Sequence, residues 1–437
     1  MRFGKLAGLV LSVAVIGVGA THAAPGGGGP DPVSGRWKAT LTIPSGEVAF
    51  GLDLKLAKSL VSGAVLNGSE RQDLSGGSFD GTTLELRMDY YDGRIIAHYT
   101  DATETSLVGE YTRQTRNGIG RYEFKAARTN ETLRLVGGDP KTLGAANLSG
   151  DWVLTTFEKD GKVEEVDDAT FTIEAVVKDH AVVSGTVIPV SGDYGLLSGV
   201  VWNRPGEKPT FRLSRFDGIH VTLLTGEVRD DGSLAGELAT GLSYRAPFTA
   251  VRKARAAASD LPGDPNALTT VKDPQEAFAF ALPDTDGRTV SLTDDRYKGK
   301  VVVIDIMGTW CPNCHDETPL LVDLYRKYRA DGLEIVMLAY EYTPDAARSR
   351  RQIAIYREKY GIEFPILVAG STAEGEIART LPQLVNFGAY PTTIFVGRDG
   401  RVHRIHAGFS GPATGDRFGA VKKEMEELVR ELLAGKP

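Results

Sequence analysis

The chain has 437 residues, more than one hydrophobic core usually supports, so we expect two to four domains. Its 41% hydrophobic and 24% charged content is ordinary for globular protein. The formal net charge of −7 argues against nucleic acid or an anionic membrane as the main partner.

The first 24 residues have the pattern of a secretory signal peptide. Arg2 and Lys5 form a basic start, residues 6–18 are apolar, and small residues precede cleavage sites after Ala23 or Ala24. The apolar run is short for a membrane span, so we expect no stable membrane insertion, with a retained N-terminal anchor as the alternative. We therefore predict an exported, periplasmic protein.

An internal duplication follows a flexible segment at residues 25–33. Four short motifs recur in the same order, with offsets that grow from 115 to 127 residues and end at 124, so the copies differ by loop insertions. The motif pairs are residues 34–37 with 149–152, 61–65 with 183–187, 107–110 with 234–237, and 124–128 with 248–252.

Both copies alternate apolar and polar residues in short runs that Asp-Gly turns separate, as in residues 84–88 and 171–176. This pattern predicts a small antiparallel barrel or sandwich of six to eight strands for residues 34–130 and again for residues 148–253.

Each copy opens on a tryptophan, Trp37 or Trp152, and closes on an arginine, Arg128 or Arg252. These positions resemble lipocalin- and avidin-like barrels, in which a first-strand Trp packs near a late Arg. The resemblance implies a closed barrel end and identifies no ligand, because a core Trp covered by a stacking Arg explains the motif without one.

Residues 254–273 have the composition of a linker, and residues 274–437 then alternate strands and helices, which predicts an α/β domain. The expected elements are a hairpin of residues 278–282 and 289–292, strands at 301–306, 333–339, 365–368, 392–396 and from 402, and helices from 312, at 344–360, 373–381 and 414–433.

The only two cysteines of the chain, Cys311 and Cys314, lie where the strand at 301–306 gives way to a helix. Exported proteins normally use cysteines as structural disulfides, so a lone pair three residues apart indicates chemistry. A Cys at a helix start is stabilised as a thiolate by free backbone N–H groups and the helix dipole. The second Cys lies one turn later on the same face, within disulfide reach, and Pro312 suits the first helical turn.

This domain resembles the thioredoxin superfamily, in particular its exported TlpA/ResA-like branch. The resemblance is carried by the box at residues 310–314, an E-x-P with Glu317 and Pro319, a Tyr390-Pro391 loop, and Gly408 before the last helix. It implies a cis Pro391 beside the sulfurs, a Tyr390 backbone that pairs with substrate, a Gly408 that lets a partner approach, and a Trp310 that covers the disulfide.

The resemblance and the chemistry together assign roles. Cys311, nearer the helix start and more exposed, is expected to attack, and Cys314 to resolve the mixed disulfide. Cys314 needs a base, and Asp305 and Glu317 are the candidates because burial raises a carboxyl pKa. Asp305 stands where many TlpA-like proteins have Asn, and matches the buried acid of other thioredoxins. His315 is expected to be an exposed neighbour that tunes the thiolate.

Several alternatives stay open. The pair could be half of a zinc site, although no second cysteine pair exists to complete it. Asp305 could be an inert buried acid and Glu317 a solvated helix charge. A peroxiredoxin is disfavoured because Thr309 and Ile304 break its motif, and a copper-delivering relative would have CxxxC.

The sequence thus predicts two tandem β domains followed by a thioredoxin-like protein-disulfide oxidoreductase with no cofactor beyond its own redox-active disulfide. Its expected partners are a substrate protein with a disulfide or thiol and, since no third cysteine relays electrons, an outside electron donor such as a membrane thiol reductase. The alternatives are a thiol oxidase or isomerase, or a β-domain binding protein with an ancillary redox domain.

Overall fold

A computed structural model describes residues 31–100, 103–129, 140–177, 180–264, 267 and 269–435. The predicted signal peptide lies outside the described residues. No helix within the described part of the chain is long and apolar enough to cross a membrane.

The first repeat is an antiparallel barrel, barrel 1. Alternate residues of its first strand, Trp37, Ala39, Leu41 and Ile43, are buried, as the period-2 pattern predicts. Pairing of β2 with β3 closes an eight-strand ring in the order β2-β1-β9-β8-β7-β6-β5-β3, and β4 extends it from β3. The strands are β1 Gly35–Ile43, β2 Gly46–Ala57, β3 Leu60–Asn67, β4 Glu70–Asp73, β5 Gly76–Phe79, β6 Thr83–Met88, β7 Gly93–Tyr99, β8 Ser106–Thr115 and β9 Gly118–Thr129.

The second repeat, barrel 2, is a closed barrel of eight strands in sequence order. Its strands are β10 Gly150–Phe157, β11 Val163–Val177, β12 His180–Ile188, β13 Leu197–Trp202, β14 Thr210–Phe216, β15 Val221–Val228, β16 Leu234–Thr240 and β17 Tyr244–Arg252.

The matching Trp and Arg residues of the two repeats meet as the motif predicts. The Arg128 guanidinium lies 4.6 Å from the Trp37 ring centroid, and that of Arg252 lies 3.9 Å from the Trp152 ring. Both indoles are buried, and each donates to a backbone carbonyl four residues earlier. The arginines are therefore covers for core tryptophans at one end of each barrel.

The two barrels pack against each other through a common hydrophobic core. Phe216, Val221 and Leu223 of barrel 2 belong to the same hydrophobic core as Phe50 of barrel 1. The Ser214 hydroxyl donates to the Ala49 carbonyl at 2.7 Å. The two repeats are joined by buried apolar surface and by hydrogen bonds.

The remaining chain, which we call the redox domain, has a five-stranded sheet in the order β23-β22-β21-β25-β26. Strands β21, β22 and β23 are parallel, and β25 and β26 run antiparallel to their neighbours. The elements are β18 Thr270–Val271, β19 Ala281–Pro283, β20 Thr289–Ser291, β21 Val301–Met307, α1 Pro312–Tyr328, β22 Leu333–Glu341, α2 Ala346–Tyr360, β23 Ile366–Ser371, α3 Glu376–Thr380, β24 Leu384–Val385, β25 Thr392–Val396, β26 Val402–Ala407 and α4 Asp416–Leu433.

Every residue of β21 is buried at the centre of the sheet, which explains why Asp305 is the one polar residue in an otherwise apolar strand. Strand β18 lies in the segment read as a linker and pairs with β24. The predicted fold class, two antiparallel barrel repeats and an α/β thioredoxin-like domain, is confirmed.

Candidate active site

The Cys311–Cys314 pair lies at the junction of β21 and α1. Helix α1 begins at Pro312, whose missing N–H costs nothing there, and Cys311 is the N-cap. The two residues form a disulfide with their Cα atoms 5.3 Å apart. The backbone N–H of Cys314 donates to the Cys311 Sγ at 3.2 Å, so a helix N–H stabilises charge on that sulfur.

Both cysteines are more buried than the sequence suggests. Cys311 is 2% exposed and Cys314 is fully buried, so Cys311 is the more exposed of the two, but the cysteine that is expected to attack is not an open surface group. Cys311 lines a cavity of about 620 Å³.

The Tyr390–Pro391 bond is cis, and Tyr390 lines the same cavity as Cys311. The backbone N–H of Gly408 donates to the Pro391 carbonyl at 2.8 Å, which ties this loop to the end of β26. The Tyr390 ring packs edge-on against Trp310 with centroids 5.3 Å apart.

Trp310 is held from three sides. Its indole N–H donates to the Tyr340 carbonyl at 2.8 Å, and its ring stacks on Tyr342 with centroids 4.4 Å apart. Together with Tyr390, these contacts fix the ring in the wall of the cavity that also contains Cys311.

The two predicted bases lie together in the core of the redox domain. Asp305 and Glu317 are fully buried, and Asp305 pairs in register with Thr393 of β25. The Thr393 hydroxyl donates to Glu317 Oε1 at 2.5 Å. Both Asp305 oxygens and Glu317 Oε2 have no hydrogen-bond partner among the described residues.

Burial raises the pKa of both carboxyls. It raises the pKa of Glu317 to about 8, against the lowering effect of the Thr393 hydrogen bond. Burial, and then repulsion from Glu317, raise the pKa of Asp305 well above its ordinary value. Both carboxyls therefore hold their protons near neutral pH.

His315 corrects the sequence interpretation, because it is buried rather than exposed. Its Nε2 lies 2.8 Å from the Thr309 carbonyl and its Nδ1 lies 2.6 Å from the Tyr360 hydroxyl. Burial and the charge of Lys359 hold the pKa of His315 well below its ordinary value. The neutral ring then donates from Nε2 and accepts at Nδ1, so it fixes the Thr309 backbone beside the box.

Two further groups hold the box and have no motif of their own. The buried Glu341 accepts from the Thr309 N–H at 3.0 Å and from its hydroxyl at 2.8 Å. The Asn313 side chain, between the two cysteines, donates to the Phe409 carbonyl at 3.0 Å and to the Asp193 carbonyl of barrel 2 at 3.2 Å.

The structure brings the predicted residues Asp305, Trp310, Cys311, Cys314, Glu317, Tyr390, Pro391 and Gly408 to one region of the redox domain. Sequence reasoning missed the barrel contribution. The local sequence carries no signal for it, because a turn carries no mark of what it packs against. Within the described residues, no group of three or more His, Cys, Asp or Glu side chains is arranged to hold a metal ion.

Comparison with known proteins places this site in a family. The AhpC/TSA family model matches residues 274–405. The thioredoxin-like protein YneN of Bacillus subtilis (strain 168) is 31% identical over 157 residues, which are 36% of this chain and 78% of that protein. The chain belongs to the thioredoxin-like proteins.

Other thioredoxin-like relatives carry names that describe an activity. The thiol-disulfide oxidoreductase ResA of Bacillus thuringiensis subsp. konkukian (strain 97-27) is 31% identical over 128 residues, 29% of this chain. The chain spans 65% of the length of that relative. A solved structure, a putative thiol:disulfide interchange protein DsbE from Chlorobium tepidum, is 22% identical, and the match covers 38% of this chain and 99% of that one with a TM-score of 0.30.

Proposed function

We propose that this protein is an exported thiol–disulfide oxidoreductase that reduces disulfides in partner polypeptides. The observation that carries the proposal is the Cys311–Cys314 disulfide at the start of α1, which lines the same cavity as Tyr390 of the cis Tyr390–Pro391 bond. The names of the ResA relatives support the same chemistry.

The reaction begins with the reduced protein. The Cys311 thiolate attacks one sulfur of the partner disulfide, whose S–S bond breaks as a mixed disulfide forms and a partner thiolate leaves. The Cys314 N–H and the start of α1 stabilise the attacking charge.

The second step releases the partner. Cys314 loses its proton to Glu317 in its ionised form and attacks the Cys311 sulfur, which expels the second partner thiolate. Two electrons have then passed from the protein to the partner, and the protein is left as the disulfide form described above.

An outside donor has to restore the dithiol, since the chain has two cysteines in all. A signal-like N-terminus supports export, and in an oxidising compartment a membrane thiol reductase is the kind of donor required.

The reduction potential of the couple tests the direction. We expect a value near that of thioredoxin, about −270 mV, after equilibration in thiol buffers with alkylation and mass measurement as the readout. A value near about −120 mV would make the protein an oxidase. In parallel, Cys314→Ser should accumulate a mixed disulfide with a disulfide substrate through Cys311, and Cys311→Ser should accumulate none.

A further inference from the structure

Both barrels reach the redox site. The turn between β8 and β9 of barrel 1 places the Arg116 guanidinium 5.8 Å from the ring centroid of Trp310. The segment between β12 and β13 of barrel 2, residues 189–196, lies against the redox domain. We call this segment the cap loop.

The cap loop is anchored on the cysteine box and on the segment after β26. Gly192 forms a parallel bridge with Phe409, and the Asn313 amide donates to the Asp193 carbonyl at 3.2 Å. The Gly411 N–H donates to Asp193 Oδ1 at 2.5 Å. Asn313 and Asp193 are buried, so these bonds are shielded from water.

Two glycines allow this close approach. A Cβ on Gly192 would lie 2.1 Å from the Asn313 amide nitrogen and 2.6 Å from the Phe409 carbonyl oxygen. A Cβ on Gly408 would lie 2.5 Å from the Val190 carbonyl oxygen. The cap loop thus occupies the space in front of Gly408, where the sequence predicts that a partner approaches.

What remains open is a slot. Arg116 and Ser191 of the barrels line the cavity of about 620 Å³ together with Cys311, Trp310 and Tyr390 of the redox domain. Its volume lies within the range of about 300–1,000 Å³ that is usual for ligand pockets. Cys311 is 2% exposed within this cavity, which limits its contact with the surface of a folded protein.

We propose that the two barrels are a specificity filter for the redox site. They admit a disulfide carried on an extended, flexible polypeptide segment, which can enter the slot beside Tyr390, and exclude the same disulfide on a folded surface. Ser191, Gly192 and Arg116 are the specificity-determining residues. The inference rests on the proposed exchange activity, and its redox steps are those given above.

The test presents one disulfide in two ways, within a folded protein and within the unstructured peptide excised from it. Reduced full-length protein is mixed with each, and single-turnover rates are followed by alkylation and mass. We expect the ratio of peptide rate to folded rate to exceed the ratio given by dithiothreitol by about tenfold or more. A ratio no larger than that of dithiothreitol, with the peptide still reduced, would overturn the filter alone. Failure to reduce either substrate would overturn the exchange function and the filter with it.

A pair of glycine variants locates the filter. Gly192→Ala pushes the cap loop from Asn313, and should lower the ratio of peptide rate to folded rate about tenfold. Gly206→Ala is the control, because Gly206 also has a positive φ in barrel 2 but meets nothing within 4 Å, and it should change neither rate. Thermal unfolding checks that both variants fold. If either does not, the ratio of peptide rate to folded rate in the wild-type protein still tests the filter. An unchanged ratio in folded Gly192→Ala would remove the cap loop from the filter.

Discussion

Two buried clusters of charged side chains differ in how their charge is balanced. Where the barrels meet, Arg215 of β14 forms ion pairs with Glu70 of barrel 1 and with Asp217, and His220 Nδ1 lies 2.8 Å from Asp217 Oδ2. In the redox domain, the buried carboxyls Asp305 and Glu317 form no ion pair with any described residue.

The contrast appears in their acidity. Burial alone would raise the pKa of Asp217, but His220 and Arg215 hold it well below its ordinary value. Glu317, with only a hydroxyl for a partner, has its pKa raised to about 8. A buried carboxylate with a cation joins two parts of a fold, whereas one without a cation can gain and lose a proton near neutral pH.

The largest effect we predict is on stability, from breaking the balanced cluster. Arg215→Met leaves Glu70 without its cation and Asp217 with His220 alone, and Arg215 also donates to the Leu196 carbonyl at the end of the cap loop. We expect a loss of about 3–5 kcal/mol in the free energy of unfolding, measured by urea denaturation, with little change in the rate of peptide-disulfide reduction.

The matched control for this variant is Arg71→Met, at the position next to Glu70 in β4. Arg71 pairs with Asp53 and Asp73 on the surface and should contribute less than about 1 kcal/mol. The depressed pKa of Asp217 sets the pH window, since its contribution is present above the unfolded-state value of 3.8 and is lost only as the pH falls below that. Equal losses in the two variants would show that the buried cluster does not join the barrels.

The sequence predicts one of these clusters better than the other. Glu317 and the two cysteines are close in sequence, and helical spacing fixes which of them share a face. Their arrangement can therefore be predicted from the sequence. Arg215 meets Glu70 across 145 residues, and Asp193 meets Asn313 across 120, through packing between domains that local patterns do not encode. The expected exposure of His315 was wrong for the same reason, because Tyr91 of barrel 1 covers its ring at 4.7 Å.

The second prediction concerns the cluster without a cation. Because Glu317 accepts a proton only when ionised, and its pKa is raised to about 8, the intramolecular step should accelerate as the pH rises through about 8. Glu317→Gln should slow this step about 10²-fold at high pH and flatten the profile. Single-turnover oxidation of the reduced protein at saturating peptide disulfide measures the step.

Asp305→Asn is the companion variant, since repulsion from Glu317 contributes to the raised pKa of Asp305. Because the ionised Glu317 keeps Asp305 protonated, Asp305→Asn should leave the midpoint near pH 8 in place. A pH profile of Glu317→Gln that keeps the wild-type rise would assign the base to another group and make Glu317 a structural acid.

The smallest effect we predict comes from removing the hydrogen bond between Thr393 and Glu317. The Thr393 hydroxyl donates to Glu317 Oε1 at 2.5 Å and lowers its pKa, so Thr393→Val removes a stabilising contact to the ionised form. We expect the midpoint of the pH–rate profile to rise by about one unit or less, with the plateau rate nearly unchanged. Thr186→Val, at a buried threonine of barrel 2 whose hydroxyl donates to a backbone carbonyl, controls for the loss of a buried hydroxyl and should leave the midpoint in place. A midpoint that stays or falls in Thr393→Val would mean that the carboxyl titrating in the wild-type profile is not the one that Thr393 contacts.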